Sequence, residues 1–348
     1  MHLEPGSNRA GITCAGNWIV DRVKVLDRLP GRGMLGTILS ETPGTGGAAF
    51  NVLADLARLG APFPLSGLGV VGLDSDGEFV LRRCRDLGLD VAGLVRTDRA
   101  ATSYTDVMSE QGTGARSFYH YRGANALFGP EHVAVDRLTC RIFHLGYLLL
   151  LDRLDAPDPE HGTVAAGLLR AVRAAGVKTS VDVVSEDSDR FSRLVPAALR
   201  HTDYLILNEI EAGRTTGMSV RDAAGRLDAP ALADAVEALL AAGDMELAVV
   251  HMPEGAYART RAGGRFCRGS LALPPGFIAG TVGAGDAFCA GMLYALHEHW
   301  DLDRALALGA CAAAACLAHP SATDGMKPLD QVLELGARYP ETAPPLSV

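Results

Sequence analysis

A segment near the carboxyl-terminal end of the chain, Gly280-Thr281-Val282-Gly283-Ala284-Gly285-Asp286, combines small residues with one carboxylate just before an apolar helix. Glycine and alanine let backbone N–H groups approach a bound anion, and the positive end of the following helix attracts it. Asp286 could accept a proton beside that anion. An anion cradle next to a base is typical of phosphoryl transfer to a hydroxyl group, and an ordinary turn capped by Asp286 is the alternative.

Two further segments carry groups that suit a sugar-like ligand. Gly46 and Gly47 precede a helix and leave room for a ligand against bare backbone, and Asn51 offers both a donor and an acceptor. Asp21, near the end of the first strand, could accept hydrogen bonds from two hydroxyl groups. A flexible turn, a core-satisfied Asn51 and an exposed turn aspartate are the alternatives, and the residues alone leave both sets open.

An amide and a carboxylate follow a predicted strand at Tyr204 to Leu207. Asn208 and Glu211 stand where α/β sheets bind ligands, just past the carboxyl end of a strand. Mg²⁺ prefers oxygen ligands and keeps several waters, so one carboxylate can hold it through water. The pair is therefore a candidate magnesium site, and the acidic first turn of an ordinary helix is the alternative.

Alternating strand-like and helix-like segments would position these residues. Strand, helix, strand repeated in this way predicts an α/β fold, with a doubly wound, mostly parallel sheet and helices on both faces. The predicted elements include helices at Phe50 to Leu59, Gly77 to Leu87 and Gly162 to Ala175, strands at Leu65 to Val71, Lys178 to Val184 and Leu247 to His251, and long helices from Ala287 and from Ala305.

Two regions break this alternation and predict a small β appendage. Thr102 to Met108 and Ala115 to Tyr121 have the pattern of a half-exposed hairpin, and Val20 to Leu39 is extended and irregular. The appendage could cover a cleft as a lid, or be a surface hairpin with no gating role. We predict a single domain over residues 1–348, a lid built from about 18–42 and 100–124, and a loose tail at 340–348.

Composition argues against several classes of partner. The chain has 348 residues and a net charge of −9, which argues against nucleic acid or an anionic membrane as the main partner. Its seven cysteines form no Cys-x-x-Cys pair and indicate reduced, mostly buried thiols in a cytoplasmic protein. No apolar signal segment is evident over Met1 to Gly16, and the longest apolar run, Ala305 to Ala318, is too short to span a bilayer.

In their joint order these motifs resemble the ribokinase (PfkB) carbohydrate kinase family, from about Ile12 to Lys327. The segment from Gly46 through Asn51 to Gly60 is similar to one family signature, and Thr281 to Gly291 is similar to the other. Three shorter segments are also similar to family patterns: Leu68-Gly69-Val70-Val71-Gly72-Leu73-Asp74 with Gly77 to a G-x-V-G-x-D-x-x-G segment, Gly123-Ala124-Asn125 to the lid-return segment, and Asn208 with Glu211 to N-x-x-E.

The resemblance implies a ribokinase-like fold and ATP- and Mg²⁺-dependent phosphorylation of a hydroxymethyl group on a sugar or related small molecule. It implies Asp286 as general base, with the N–H groups of Gly283, Ala284 and Gly285 as an anion hole. Further implied roles are Mg²⁺ and phosphate binding by Asn208 and Glu211, substrate binding by Asp21, Gly46, Gly47 and Asn51, and nucleotide binding by Thr281, Pro253 and Gly255, with adenine near His319 to Gly325 and Pro253 to Gly255.

Two positions depart from the family pattern. Gly280 stands where the family usually has an aspartate that, in some relatives, helps to bind a monovalent cation. We therefore expect no potassium activation of the usual kind, or a cation site built differently. The segment His251-Met252-Pro253-Glu254-Gly255 replaces a T-x-G-x-x-G-like turn, and Pro253 supplies no N–H, which leaves the choice of phosphate donor open.

Other functions stay open on the sequence alone. They are a non-catalytic sugar- or nucleotide-binding regulator on the same fold and a nucleoside kinase; a dehydrogenase is disfavoured because Phe288 replaces the third glycine of G-x-G-x-x-G. The acceptor would be chosen by the lid and by segments such as Gly146-Tyr147 and Tyr119 to Arg122. Exposed lid strands could pair across a two-fold axis, which predicts a homodimer.

Overall fold

The computed structural model describes residues 9–112, 116–186 and 188–347, and it shows the predicted α/β fold. Its strands, numbered in chain order, are β1 Ile12–Gly16, β2 Ile19–Leu26, β3 Ile38–Gly46, β4 Leu65–Gly72, β5 Asp90–Thr97, β6 Ser103–Glu110, β7 Arg116–Tyr121, β8 Ile142–Leu148, β9 Pro157–Asp158, β10 Gly162–Thr163, β11 Lys178–Val183, β12 Tyr204–Asn208, β13 Leu247–Met252, β14 Gly255–Thr260 and β15 Arg265–Gly269. The α-helices are α1 Ala48–Arg58, α2 Ser75–Asp86, α3 Val164–Ala174, α4 Phe191–Leu199, α5 Glu209–Thr216, α6 Ala229–Ala241, α7 Ala284–His297, α8 Leu302–Leu317 and α9 Leu329–Arg338.

The large sheet has nine strands in the order β15-β14-β13-β12-β11-β8-β1-β4-β5. The seven strands from β13 to β5 run parallel, which confirms the prediction, whereas β14 and β15 extend one edge antiparallel. Successive side chains of β12 point to opposite faces of the sheet, and both faces are buried. Leu205 and Leu207 enter the core under α3 to α6, and Tyr204 and Ile206 enter the core under α1, α7 and α8.

The helices α7 and α8 pack closely beneath the sheet because glycines face each other. A Cβ atom on Gly291 would lie 3.0 Å from the Cα atom of Gly309, so neither residue has room for a side chain. The predicted helix from Ala287 begins earlier, at Ala284, and the predicted helix from Ala305 begins at Leu302. Asp286 therefore lies inside the first turn of α7, and the packing against α8 fixes the direction of that turn.

The predicted appendage is a second, four-stranded sheet in the order β3-β2-β6-β7. The strand β2 pairs parallel with β6, and β6 and β7 form the predicted hairpin. The irregular segment holds two strands, and β3 continues to Gly46, past the predicted boundary at residue 42. Residues 113–115 of the predicted lid, residues 1–8 of the predicted domain and Val348 of the predicted tail lie outside the described residues.

Buried polar side chains attach the small sheet to the large one. Asp74 accepts hydrogen bonds from the Thr102 backbone N–H (2.7 Å) and hydroxyl (2.6 Å), just before β6 begins. Asn125, after β7, accepts from the Trp18 N–H (3.1 Å) just before β2. Asp74 and Asn125 both lie in segments that resemble family motifs. The hydrogen bonds of these two residues fix the position of the small sheet at the edge of the cleft. Among the described residues, no helix combines the length and apolar character needed to cross a bilayer.

Candidate active site

A cleft of about 1130 Å³ lies between the small sheet and the carboxyl ends of the parallel strands. This edge is where open α/β sheets bind ligands. Many predicted site residues line the cleft: Asp21, Gly47, Asn51, Asn208, Glu211, Gly283, Gly285 and Asp286. Others do not line it: Gly46, Ala284, Thr281, Pro253, Gly255 and the segment His319 to Gly325 predicted near adenine.

Asp286 is buried at the floor of the cleft and accepts hydrogen bonds from two side chains. The Asn51 amide donates to Oδ2 (2.8 Å), and the Tyr147 hydroxyl lies 2.8 Å from Oδ1 and 2.9 Å from Oδ2. Burial and the charge of Asp182 raise the pKa of Asp286 to about 7, although the Asn51 and Tyr147 bonds favour the charged carboxylate. A carboxyl group with a pKa near the operating pH is suited to general-base catalysis.

The turn before Asp286 requires glycine. Gly283 has φ of 80°, in the left-handed region, and a Cβ atom there would collide with the carbonyl of Ala322. A Cβ atom on Gly285 would lie 3.1 Å from Cε1 of His251. Because the helix starts at Ala284, its first N–H groups have no partner within the helix and lie at the positive end of its dipole. The turn therefore has the geometry that the predicted anion cradle requires, directly beside the carboxylate of Asp286.

Two glycines make room for Asp21 on the opposite wall. A Cβ atom on Gly46 would overlap the Asp21 carboxylate, and one on Gly47, where φ is 88°, would overlap the Asn17 carbonyl. Gly46 therefore acts behind the site rather than on its surface. Burial raises the pKa of Asp21 to about 6, while a hydrogen bond with Thr105 favours the charged form.

Asn208 and Glu211 form a capping box at the start of α5. The Asn208 side chain accepts from the Glu211 N–H (2.8 Å), and Glu211 accepts from the Asn208 N–H (3.0 Å) and the Ser185 hydroxyl (2.7 Å). The helix-capping alternative is therefore present, and Glu211 also lines the cleft, where the predicted magnesium site would lie. Burial, Asp182 and Asp286 raise the pKa of Glu211 to about 8, against the hydrogen bonds from Asn208 and Ser185. This crowding of carboxylates suits a bound Mg²⁺ ion.

Sequence reasoning missed several residues of the cleft. Asp182 is the penultimate residue of the buried strand β11, and a carboxylate near the carboxyl end of a predicted strand was an available signal. His251 and Arg116 also line the cleft, but only the pairing of β6 with β7 shows that Arg116 faces it. Tyr147 was expected among the residues that choose the acceptor, and its contact with Asp286 was not predicted.

Gly280 fits tightly into its surroundings. A Cβ atom at this position would lie 2.8 Å from Cα of Pro320 and 3.0 Å from the carbonyl of His319. The backbone of the neighbouring loop would have to shift before an aspartate could replace it. The departure from the family pattern is therefore matched by local packing.

The sequence and the fold are both similar to those of known carbohydrate kinases. The pfkB family carbohydrate kinase model matches residues 10–328. An ATP-dependent ribose-1-phosphate kinase from Halopiger xanaduensis is 29% identical over 295 residues, covering 83% of this chain and 85% of the relative. A ribokinase from Arabidopsis thaliana is 28% identical over 313 residues, covering 89% and 76%. The solved structure of Arabidopsis thaliana ribokinase complexed with ribose and ATP has a TM-score of 0.77 at 22% identity, covering 94% of this chain and 98% of that one.

These comparisons confirm the predicted ribokinase-like fold and the predicted class of enzyme. The match runs through both sheets and contains the cleft with Asp286 at its floor. The chain belongs to the pfkB family of carbohydrate kinases, which transfer a phosphoryl group from ATP to a sugar hydroxyl.

Proposed function

We propose that the protein moves the γ-phosphoryl group of ATP to a hydroxymethyl group of a sugar or related small molecule, with Asp286 as general base. The observation that carries this proposal is the pairing of Asp286 with the start of α7: a buried carboxyl group with a pKa of about 7 lies beside a glycine-rich helix N-terminus. The carboxyl group is suited to taking a proton, and the helix N-terminus is suited to holding a developing negative charge.

The reaction follows from these positions. The acceptor hydroxyl gives its proton to the Asp286 carboxylate, and its oxygen forms a bond to the γ-phosphorus while the bond to the bridging oxygen of ADP breaks. The N–H groups of Gly283, Ala284 and Gly285 stabilise the charge on the transferring group. Asp286 already accepts bonds from Asn51 and Tyr147, so the acceptor hydroxyl joins or replaces one of these donors and is held in line.

Glu211 and Asn208 would hold Mg²⁺ through water. The ion would neutralise charge on the phosphates of the donor. Thr281, Pro253 and Gly255 remain proposed nucleotide contacts, with adenine near His319 to Gly325. Asp21 and Asn51 would bind acceptor hydroxyls, backed by Gly46 and Gly47.

One arginine of the cleft favours one class of acceptor. Arg116 lines the cleft, and its Nη1 atom is buried without a hydrogen-bond partner among the described residues. Arg122, also in the cleft, is instead paired with Asp152 (2.7 Å). A guanidinium group with an unsatisfied nitrogen is suited to a phosphate or carboxylate, which it can hold with two parallel bonds. A relative is named for ribose 1-phosphate. We therefore propose that the acceptor is a sugar that carries an anionic group.

A matched pair of acceptors tests this choice. We expect Arg116→Met to raise KM for ribose 1-phosphate by about tenfold or more, because hydrogen bonds to charged groups contribute roughly 1.5–3 kcal/mol. We expect KM for ribose, the neutral control, to stay unchanged. Equal effects on both acceptors, or none on either, would contradict the assignment.

Assembly and compartment are proposed on different grounds. The small sheet exposes apolar side chains at Ile38 (50% exposed) and Phe118 (59%), and the loop between β2 and β3 exposes Leu35 (84%). These side chains would be covered in a homodimer formed through the lid. Sedimentation should give a dimer that Phe118→Asp converts to a monomer; a monomeric native protein at micromolar concentration would refute the dimer.

All seven cysteines are free thiols, and we propose a cytoplasmic location, which fractionation of the native cells would check.

Product analysis tests the function itself. The protein with Mg²⁺ and ATP should form ADP with at least one acceptor from a panel of sugars, sugar phosphates, sugar acids and nucleosides. Ligand binding in calorimetry without ADP formation across this panel would favour the non-catalytic regulator instead. Because Gly280 replaces the usual aspartate, we expect no potassium activation of the usual kind. Turnover measured at matched ionic strength in sodium and potassium salts tests this expectation, and a strong potassium dependence would refute it.

A further inference from the structure

Three buried side chains of different ligand chemistry converge behind the proposed base. His144 on β8, Asp182 on β11 and Cys289 on α7 have ligand atoms that all lie within 4.8 Å of one another. The proposed transfer assigns no proton and no substrate contact to any of them. They meet because His144 and Ser180 are paired across the sheet and Asp182 follows two residues later on the same face. Cys289 lies three residues after Asp286, one turn along α7.

Two of these side chains present polar atoms that the protein leaves unsatisfied. His144 Nε2 and Asp182 Oδ1 are buried and have no hydrogen-bond partner in the described part of the chain. His144 Nε2 lies 3.5 Å from Asp182 Oδ2, which is longer than a hydrogen bond. Leaving a buried polar group unpaired is unfavourable, so two such atoms at the same place indicate a missing partner between them.

A neighbouring hydroxyl orients the histidine for this role. His144 Nδ1 lies 3.0 Å from Ser180 Oγ. When Nδ1 carries the proton and donates it to Ser180, the lone pair of Nε2 points toward Asp182. A hydrogen bond to the other ring nitrogen is the usual support of a metal-binding histidine, because it fixes the tautomer and the ring orientation.

The donor set selects the kind of ion. One imidazole nitrogen, one carboxylate oxygen and one thiolate suit Zn²⁺ and similar transition metals, whereas Mg²⁺ requires oxygen ligands. Zinc ligands lie about 2.0–2.3 Å from the ion, so they are roughly 3–4 Å apart in a tetrahedron. His144 and Asp182 already have this separation, and the Cys289 sulfur lies within 4.8 Å of both ligand atoms. Asp182 and Cys289 line the cleft, which gives an ion a path and leaves its fourth position open.

We propose that His144, Asp182 and Cys289 form a transition-metal site of the Zn²⁺ type, and that its occupation inhibits phosphoryl transfer. The inhibitory part rests on the function proposed above. Binding replaces the thiol proton of Cys289 with the metal and releases that proton to solvent. The charge of Asp182 helps to keep Asp286 basic. A cation held by Asp182 replaces this negative charge with a positive one, which lowers the pKa of Asp286 and makes it a weaker base.

Cobalt binding tests the site without relying on turnover. Added to the metal-free full-length protein, Co²⁺ should produce a thiolate-to-cobalt charge-transfer band. Cys289→Ala should abolish it, whereas Cys84→Ala, which alters a buried thiol on α2, should retain it. Ser180→Ala should weaken cobalt binding by about 10–100-fold. Absence of the band in the wild type, or an unchanged band in Cys289→Ala, would overturn the site.

Zinc titration tests the consequence. Micromolar Zn²⁺ should inhibit the wild type reversibly, with recovery after a chelator, and Cys289→Ala should require a concentration at least 100-fold higher. Inhibition that persists in Cys289→Ala and is relieved by excess Mg²⁺ would place the ion at Glu211 and overturn the inhibitory role. If no acceptor is phosphorylated at all, the proposed function fails, and the cobalt band alone decides the metal site.

Discussion

At the scale of single residues, the proposed mechanism depends on the protonation state of the Asp286 carboxylate. Its neighbours act on it in opposite senses: Asp182 favours the protonated form, whereas Asn51 and Tyr147, among others, favour the charged form. Burial adds to the effect of Asp182. Together they hold the group where it is charged for part of the time near neutral pH and is still basic enough to take a proton.

The acid side of the pH profile should report this balance. With Asp286 protonated below a pKa of about 7, kcat/KM should fall as the pH drops through that value. Tyr147→Phe removes a donor that favours the carboxylate, so the pKa of Asp286 rises and the fall moves to higher pH, by about one unit. Tyr204→Phe, a buried tyrosine away from Asp286, should leave the profile in place. A profile that Tyr147→Phe does not move would contradict the assignment.

Several site residues could be predicted from residue type and spacing, and others could not. Asp286, Asn51, Asn208 and Glu211 carry local signals, because each stands at the start of a helix after a turn or strand. The bond between Asn51 and Asp286 joins residues far apart in the chain, so no local pattern records it. The roles assigned to these residues stay predictions until variants are measured.

At the scale of elements, glycine decides where the helix beside the base begins. Gly283→Ala should place a side chain in the left-handed region and against the Ala322 carbonyl, so the turn must move. We expect kcat to fall by about 10²–10³-fold, the usual cost of losing one anion-hole donor. Gly60→Ala is the control, because Gly60 has φ of 76° but nothing within 4 Å of its Cβ position. It should lose about 1–2 kcal/mol of stability and keep its turnover.

The predicted order of elements was confirmed where periodicity and turn residues agree. The strand predicted at Leu65 to Val71 is present as Leu65–Gly72, and the helix predicted at Gly162 to Ala175 is present as Val164–Ala174. The antiparallel pair β14 and β15 was not predicted, although the connections at residues 253–254 and 261–264 are too short for a parallel crossover. The lid was predicted to end at about residue 42, whereas β3 continues to Gly46; Pro43 and Gly44 lie on the outer strand of the small sheet, where proline is tolerated.

At the scale of the whole molecule, the cleft concentrates acidic groups that oppose folding when ligands are absent. Asp286 and Glu211 have folded-state pKa values of about 7 and about 8, both raised from their ordinary range mainly by burial. The folded protein therefore binds their protons more tightly than the unfolded chain does. The resulting stability is present below about pH 4 and is lost as the pH rises through about 7 and 8.

Thermal unfolding of the ligand-free protein should show this cost. Its Tm should fall between about pH 4 and pH 8. Glu211→Gln should raise Tm by a few degrees at about pH 8 and have little effect at about pH 5, where folded Glu211 is neutral. Glu298→Gln, at a partly exposed carboxylate outside the cleft, serves as control. A Glu211→Gln variant that is less stable than the wild type at about pH 8 would refute this account of the cleft.

Turnover of the Asp286→Asn variant tests the central claim most directly. The substitution keeps the shape of the side chain and removes its basicity, so with Mg²⁺-ATP and an accepted substrate kcat should fall by at least about 10²–10⁴-fold. Acceptor binding in calorimetry should remain, because Asp21 and Asn51 are unchanged. A variant that binds the acceptor and keeps near-normal kcat would show that Asp286 is not the base.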